Sequence, residues 1–91
     1  MDLIEKRDVS IYDMANTIRY LLSYSKNEEQ FFENLIKRGI LLISENNSFK
    51  FKTPFYTLSD KEIAESINDD FFLTENMKKH MGYNLKHSKE N

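Results

Sequence analysis

From Ile11 to Ser25 the apolar side chains recur in steps of three and four. Ile11, Met14, Ala15, Ile18, Leu21, Leu22 and Ser25 share one stripe, which predicts a helix from about Val9 to Ser25. Ser10 with Asp13 three residues on approximates a capping box, Asp standing in for the usual Glu or Gln. Met1 to Arg7 form a lead-in from which Leu3 and Ile4 could dock on the core. Ser25-Lys26-Asn27 breaks the pattern, and Asn27 is placed to cap a second helix with Glu28 and Glu29 in its first turn.

The stretch Phe31 to Thr53, FFENLIKRGILLISENNSFKFKT, is the organising unit. Phe31, Phe32, Leu35 and Ile36 cluster on one side of the second helix, opposite Gln30, Glu33, Asn34 and Lys37. Lys37 and Arg38 suit its negative end, and Gly39 follows where a left-handed residue ends a helix. Ile40-Leu41-Leu42-Ile43 reads as a strand covered on both faces. Glu45-Asn46-Asn47-Ser48 is turn chemistry, since asparagine tolerates positive φ. Phe49-Lys50-Phe51-Lys52-Thr53 then alternates, phenylalanines to the core and lysines to water. Burying those rings is worth at most about 2 to 3 kcal/mol each.

Thr53-Pro54 forces the chain extended and ends the strand, and Phe55 and Leu58 are expected to return to the core. Ser59-Asp60-Lys61-Glu62 is a full capping box for a short helix to about Asn68, with Ile63, Ala64 and Ile67 inward. Asn68-Asp69-Asp70 breaks it, Phe71-Phe72-Leu73 forms an apolar clamp, and a last helical stretch runs from Thr74 to Met81, ended by Gly82. The expectation is one small globular domain over residues 1–82 and a flexible basic tail over residues 83–91.

A chain of 91 residues supports one small core, here rich in aromatics, with seven Phe and five Tyr. It contains no cysteine, which excludes a disulfide, thiol catalysis or a thiolate metal site. The start lacks the apolar core of a signal peptide, and the longest aliphatic run is four residues, so a soluble cytoplasmic protein without membrane contact is expected. Ten lysines against three arginines, with nine asparagines and eight isoleucines, follow the bias of AT-rich coding in low-GC bacteria and their phages. The net charge of −2 is segregated. Residues 54–75 hold six anions and one cation, and residues 76–91 hold four cations and one anion.

Catalytic, cofactor and metal sites are not expected. Two glycines cannot build a phosphate loop, and His80 and His87 would stand about 10 Å apart even on one helix. Two surfaces are candidates for a macromolecular partner. Tyr20 and Tyr24 lie one turn apart opposite the buried stripe, although they could instead lean on the next helix or the tail. Asp60, Glu62, Glu65, Asp69, Asp70 and Glu75 surround Phe71 and Phe72, an acidic frame around an apolar anchor that suits a basic pocket; the alternative, favoured for the phenylalanines themselves, is a solvated helix face with both rings buried inside. Asp69→Lys with Asp70→Lys is expected to weaken such a contact without disturbing the fold. The candidates for nucleic-acid contact are Lys50, Lys52, Lys78, Lys79 and Lys86.

The order helix, helix, strand, turn, strand resembles a winged helix, with Asn27 to Arg38 as recognition helix and Glu45 to Ser48 as wing tip. The Leu-x-x-x-Gly-x-Leu join of Leu35, Gly39 and Leu41 resembles phage antirepressor C-terminal domains. SDKEIAESINDDFFLTENMKKHM resembles the helix-turn-helix of response-regulator-type factors, with Glu62-Ile63-Ala64 in the first helix and Thr74, Lys78, Lys79 and His80 in the second. Glu28, Glu29 and Glu33 depart from a recognition helix, and the Asn68–Phe71 turn is two or three residues too long. The expected architecture is α+β and mostly helical, winged-helix-like, with one two-stranded hairpin and a C-terminal helical pair. The expected function is a small non-enzymatic binding protein, of the accessory kind found in phages and mobile elements, that modulates or inhibits a larger protein or protein–nucleic-acid complex. The alternative is a winged-helix transcription regulator on duplex DNA. A homodimer, through Tyr20 and Tyr24 or an open hairpin edge, is compatible with either.

Overall fold

The computed structural model describes the backbone of residues 3–87 and the side chains of residues 11–87. In chain order the elements are α1 (Leu3–Leu22), α2 (Glu28–Ile36), β1 (Leu41–Glu45), β2 (Ser48–Lys52), β3 (Thr57–Ser59), α3 (Asp60–Ile67), a 3₁₀ turn (Asp70–Phe72) and α4 (Thr74–Lys86). Among the described residues the fold is α+β, with four α-helices around one antiparallel sheet of order β1-β2-β3. Helix, helix, strand, turn and strand occur in the order expected of a winged helix; the likeness stands on element order alone.

Helix α1 buries the expected stripe of Ile11, Met14, Ala15, Ile18, Leu21 and Leu22, and Ser25 beyond its end is buried too. It starts at Leu3, not near Val9, so Ser10 lies inside a helix and does not cap one. The side chains of Leu3, Ile4 and Ser10 lie outside the described residues. The C-terminal carbonyls of α1 find donors in the turn that follows and in α4. Ser25 Oγ donates to the Leu21 carbonyl at 2.9 Å, and Asn84 Nδ2 donates to the carbonyls of Leu22 and Ser25, each at 2.9 Å. Asn34 Nδ2 donates to Ser25 Oγ at 3.1 Å, so α1, α2 and α4 meet at this one corner.

Asn27 caps α2 as expected, its Oδ1 accepting from Gln30 N–H at 2.9 Å. Phe31 and Leu35 are buried, but Phe32 and Ile36 face water. The correction follows from helix geometry. Phe32 and Ile36 lie about 100° around the axis from Phe31 and Leu35, which is too far to share one narrow contact. Gly39 adopts φ +80° and turns the chain into the sheet.

The β1–β2 hairpin closes on Asn46 and Asn47, both at positive φ, as a two-residue primed turn demands. Phe49 and Phe51 are fully buried while Lys52 is exposed and Lys50 half-buried. The register pairs Leu42 with Phe51 and Phe51 with Leu58, so one apolar row crosses all three strands. Phe31 from α2 completes a triangle with Phe49 and Phe51, with centroid separations of 6.1, 6.2 and 6.4 Å. Strand β1 is not covered on both faces: Leu42 is buried, but Leu41 is exposed and Ile43 half-buried.

The sheet has a third strand that the hydrophobic pattern conceals. Thr53 N–H donates to the Tyr56 carbonyl at 2.8 Å, and Thr53 Oγ1 accepts from the N–H groups of Phe55 and Tyr56. That turn brings Thr57–Ser59 alongside β2. Leu58 returns to the core, but Phe55 sits at the turn's tip and is 88% exposed. Ser59 and Glu62 form the expected capping box, and Asn68 ends α3 in the left-handed region at φ +61°. Helix α4 does not stop at Gly82; it continues to Lys86, so residues 83–86 belong to it and not to a tail. Residues 88–91, Lys89 among them, lie outside the described residues.

The two glycines therefore make opposite predictions. Gly39→Ala places a Cβ on a left-handed residue and should lower stability by about 1 to 2 kcal/mol. Gly82→Ala adds a methyl to an open helix position and should raise it by up to about 1 kcal/mol. Urea unfolding of both variants checks the pair.

Candidate functional site

Tyr20 near the end of α1 and Tyr24 in the turn beyond it remain on the surface, 52% and 56% exposed. They form an edge-to-face pair with centroids 4.9 Å apart, and Tyr24 OH donates to Tyr20 OH at 2.5 Å. This bond, followed by partial desolvation, raises the pKa of the Tyr24 hydroxyl above the ordinary tyrosine value. Arg38 holds its guanidinium 5.9 Å from the Tyr20 ring centroid. Tyr12 is exposed on the same outward half of α1, and no aromatic partner one turn away marks it in the sequence. Arg38 lies two residues beyond α2, and only the folded chain brings it to Tyr20.

The acidic frame around Phe71 separates into residues with different roles. Asp60 is buried and is not a surface contact. Its Oδ2 accepts from Thr74 N–H at 3.0 Å and from Thr74 Oγ1–H at 2.6 Å, and its Oδ1 accepts from Lys61 N–H at 2.7 Å. Thr74 Oγ1 in turn accepts from Phe49 N–H at 2.9 Å. Asp69 Oδ1 accepts from Phe71 N–H at 2.9 Å, and its Oδ2 pairs with Arg19 Nη2 at 2.6 Å. The Phe71 amide first, and the Arg19 guanidinium second, hold the Asp69 carboxyl below the ordinary aspartate range. Arg19 also lies 4.6 Å from the centroid of Phe71 and 5.1 Å from that of Phe72. Asp69 is therefore part of a staple between α1 and the 3₁₀ turn, so Asp69→Lys removes this ion pair as well as a surface carboxylate. Glu62 is exposed but bonded to Ser59 N–H at 2.9 Å, Glu65 and Asp70 are exposed, Phe71 is half-buried and Phe72 buried.

The candidate lysines do not converge. Lys50 pairs with Glu45 at 3.2 Å on the outer face of the sheet, where Lys52 also lies. Lys78 Nζ sits 5.6 Å from the Phe49 ring centroid, and Lys79 and Lys86 are exposed along α4. Among the described residues no group of three or more His, Asp or Glu side chains could share a metal ion. No helix among them is long and apolar enough to cross a membrane. No protein-family model, curated protein or solved structure matches the chain.

Two measurements check these roles. Thr74→Val keeps the side-chain shape but removes the acceptor of Phe49 N–H, and should lower stability by about 2 kcal/mol. Thr74→Ser should stay within about 1 kcal/mol of wild type. The second measurement is a pH series. Because Asp69 has a lowered folded pKa, its staple acts fully above the ordinary aspartate range and is lost as pH falls through the folded value. Thermal melts of Asp69→Asn should thus lose less stability than wild type below about pH 4. An unchanged acid limb contradicts the staple.

Proposed function

We propose that the chain is a small non-enzymatic, cytoplasmic binding protein that modulates or inhibits a larger macromolecular partner by occupying its surface. The tyrosine face is the contact surface. The observation that carries this reading is the exposure of Tyr12 and Tyr20 on the outward half of α1 and of Tyr24 in the turn beyond it, with Arg38 over Tyr20. Tyr and Arg dominate the energetics of protein contacts because they offer wide apolar area with a polar end. The Tyr24–Tyr20 hydrogen bond supports the reading further, since rings already fixed lose less rotamer freedom on docking.

The duplex-DNA alternative draws less support. Helix α2 turns Glu28, Glu29 and Glu33 to solvent, and Lys50 is paired with Glu45.

The test is affinity capture from lysate of the source cells, using wild type beside Tyr20→Ser/Tyr24→Ser. One retained protein is expected with wild type, and the double variant should bind it at least about tenfold more weakly. Equal retention by the folded variant, or none by wild type, contradicts the proposal. Salt-dependent micromolar binding to random duplex DNA would favour the alternative.

A further inference from the structure

Helix α4 carries a row of rings that the tyrosine face does not involve. His80, Tyr83 and His87 recur at three- and four-residue steps, so their side chains stack along one stripe. Tyr83 and His87 lie 3.9 Å apart between centroids with planes 22° from parallel, and His80 and Tyr83 lie 6.4 Å apart at 26°. Phe71 closes the inner end, edge-on to His80 at 5.6 Å. The row is not core: Tyr83 is 59% exposed and His87 is exposed.

Helical geometry sets Lys79 and Lys86 along the solvent side of this stripe, about 10 Å apart. A cleft of about 350 Å³ beside it is lined by Asn76, Lys79, His80 and Tyr83. Asn76 is held there by the bond from its Nδ2 to the Asp70 carbonyl at 2.7 Å. Flat ring faces bordered by cations are the two components that bind unpaired nucleotides, bases on the rings and phosphates on the ammonium groups. A duplex hides its base faces and would offer this stripe only phosphates.

We propose that this stripe of α4 is a binding site for single-stranded nucleic acid, with a base entering between the near-parallel rings of His80 and Tyr83, whose other face is covered by His87, and with Lys79 and Lys86 holding the backbone. The site rests on α4 alone and is independent of the tyrosine-face reading. The full chain takes DNA or RNA by the same contacts, and separate probes distinguish the two.

The experiment is fluorescence anisotropy with labelled oligo-dT and oligo-rU of about 15 nucleotides and a hairpin duplex, each at two salt concentrations. At least one single strand should bind, more tightly than the duplex, with an affinity that falls as salt rises. Tyr83→Leu keeps apolar area but loses the ring, and should weaken binding by about tenfold; Tyr83→Phe should match wild type. Lys79→Glu with Lys86→Glu should weaken binding and flatten its salt dependence. Phe55→Ala, at the exposed sheet turn, should leave binding unchanged. All variants alter exposed positions, and circular dichroism confirms that they fold. No binding of either strand at about 100 μM protein overturns the proposal. So does equal affinity for the duplex, or a Tyr83→Leu variant that binds as wild type does.

Discussion

The buried Asp60 carboxylate accepts both the amide and the hydroxyl of Thr74, and the Thr74 hydroxyl oxygen accepts the amide of Phe49. Through four groups, the start of α3, the start of α4 and the inner strand of the hairpin are fixed to one another. Each of these groups would be costly to leave unpaired in the interior, and a carboxylate costs the most. The arrangement is stable because Asp60 sits in the first turn of α3, where the helix dipole also favours its charge. Among the described residues, every buried side-chain nitrogen or oxygen has a partner. The Phe31–Phe49–Phe51 triangle supplies the apolar stabilisation, and the Asp60 network sets the geometry in which the rings meet.

The surfaces offered for binding follow from that frame. With α4 anchored at Thr74 and held by Asn84 against the end of α1, its His80–Tyr83–His87 stripe projects along one flank. The Arg19–Asp69 staple occupies one side of α1, while Tyr20 stands beneath Arg38. Both proposed surfaces thus lie on or beside helices whose ends are hydrogen-bonded to other elements, which would limit the freedom lost if a partner docked.

Features that depend on local chemistry were readable in the chain. Gly39, the Asn46-Asn47 turn, the alternation of Phe49 to Lys52, and the Ser59–Glu62 box each need only a few neighbouring residues. Features decided by distant partners were not. The three residues of β3 are too few for their alternation to mark a strand, and pairing with β2 defines them. Gly82 carries a helix because packing of Met77 and Met81 outweighs its weak propensity. The acidic cluster was visible as composition. Composition cannot separate Asp60, enclosed by Thr74, from Asp70, left in water. The tyrosine pair was readable because it lies within one helical turn. Its Arg38 neighbour was not, because the chain must fold back through α2 to bring it there.

Native-state hydrogen exchange at the Phe49 amide tests the central constraint most directly. If Thr74 Oγ1 is its acceptor and holds the hairpin to α4, this amide exchanges only through global unfolding, as slowly as the slowest helical amides. Exchange of Phe49 as fast as that of the turn residue Asn46 would show that strand and helix are not joined there, and the proposed frame would be wrong.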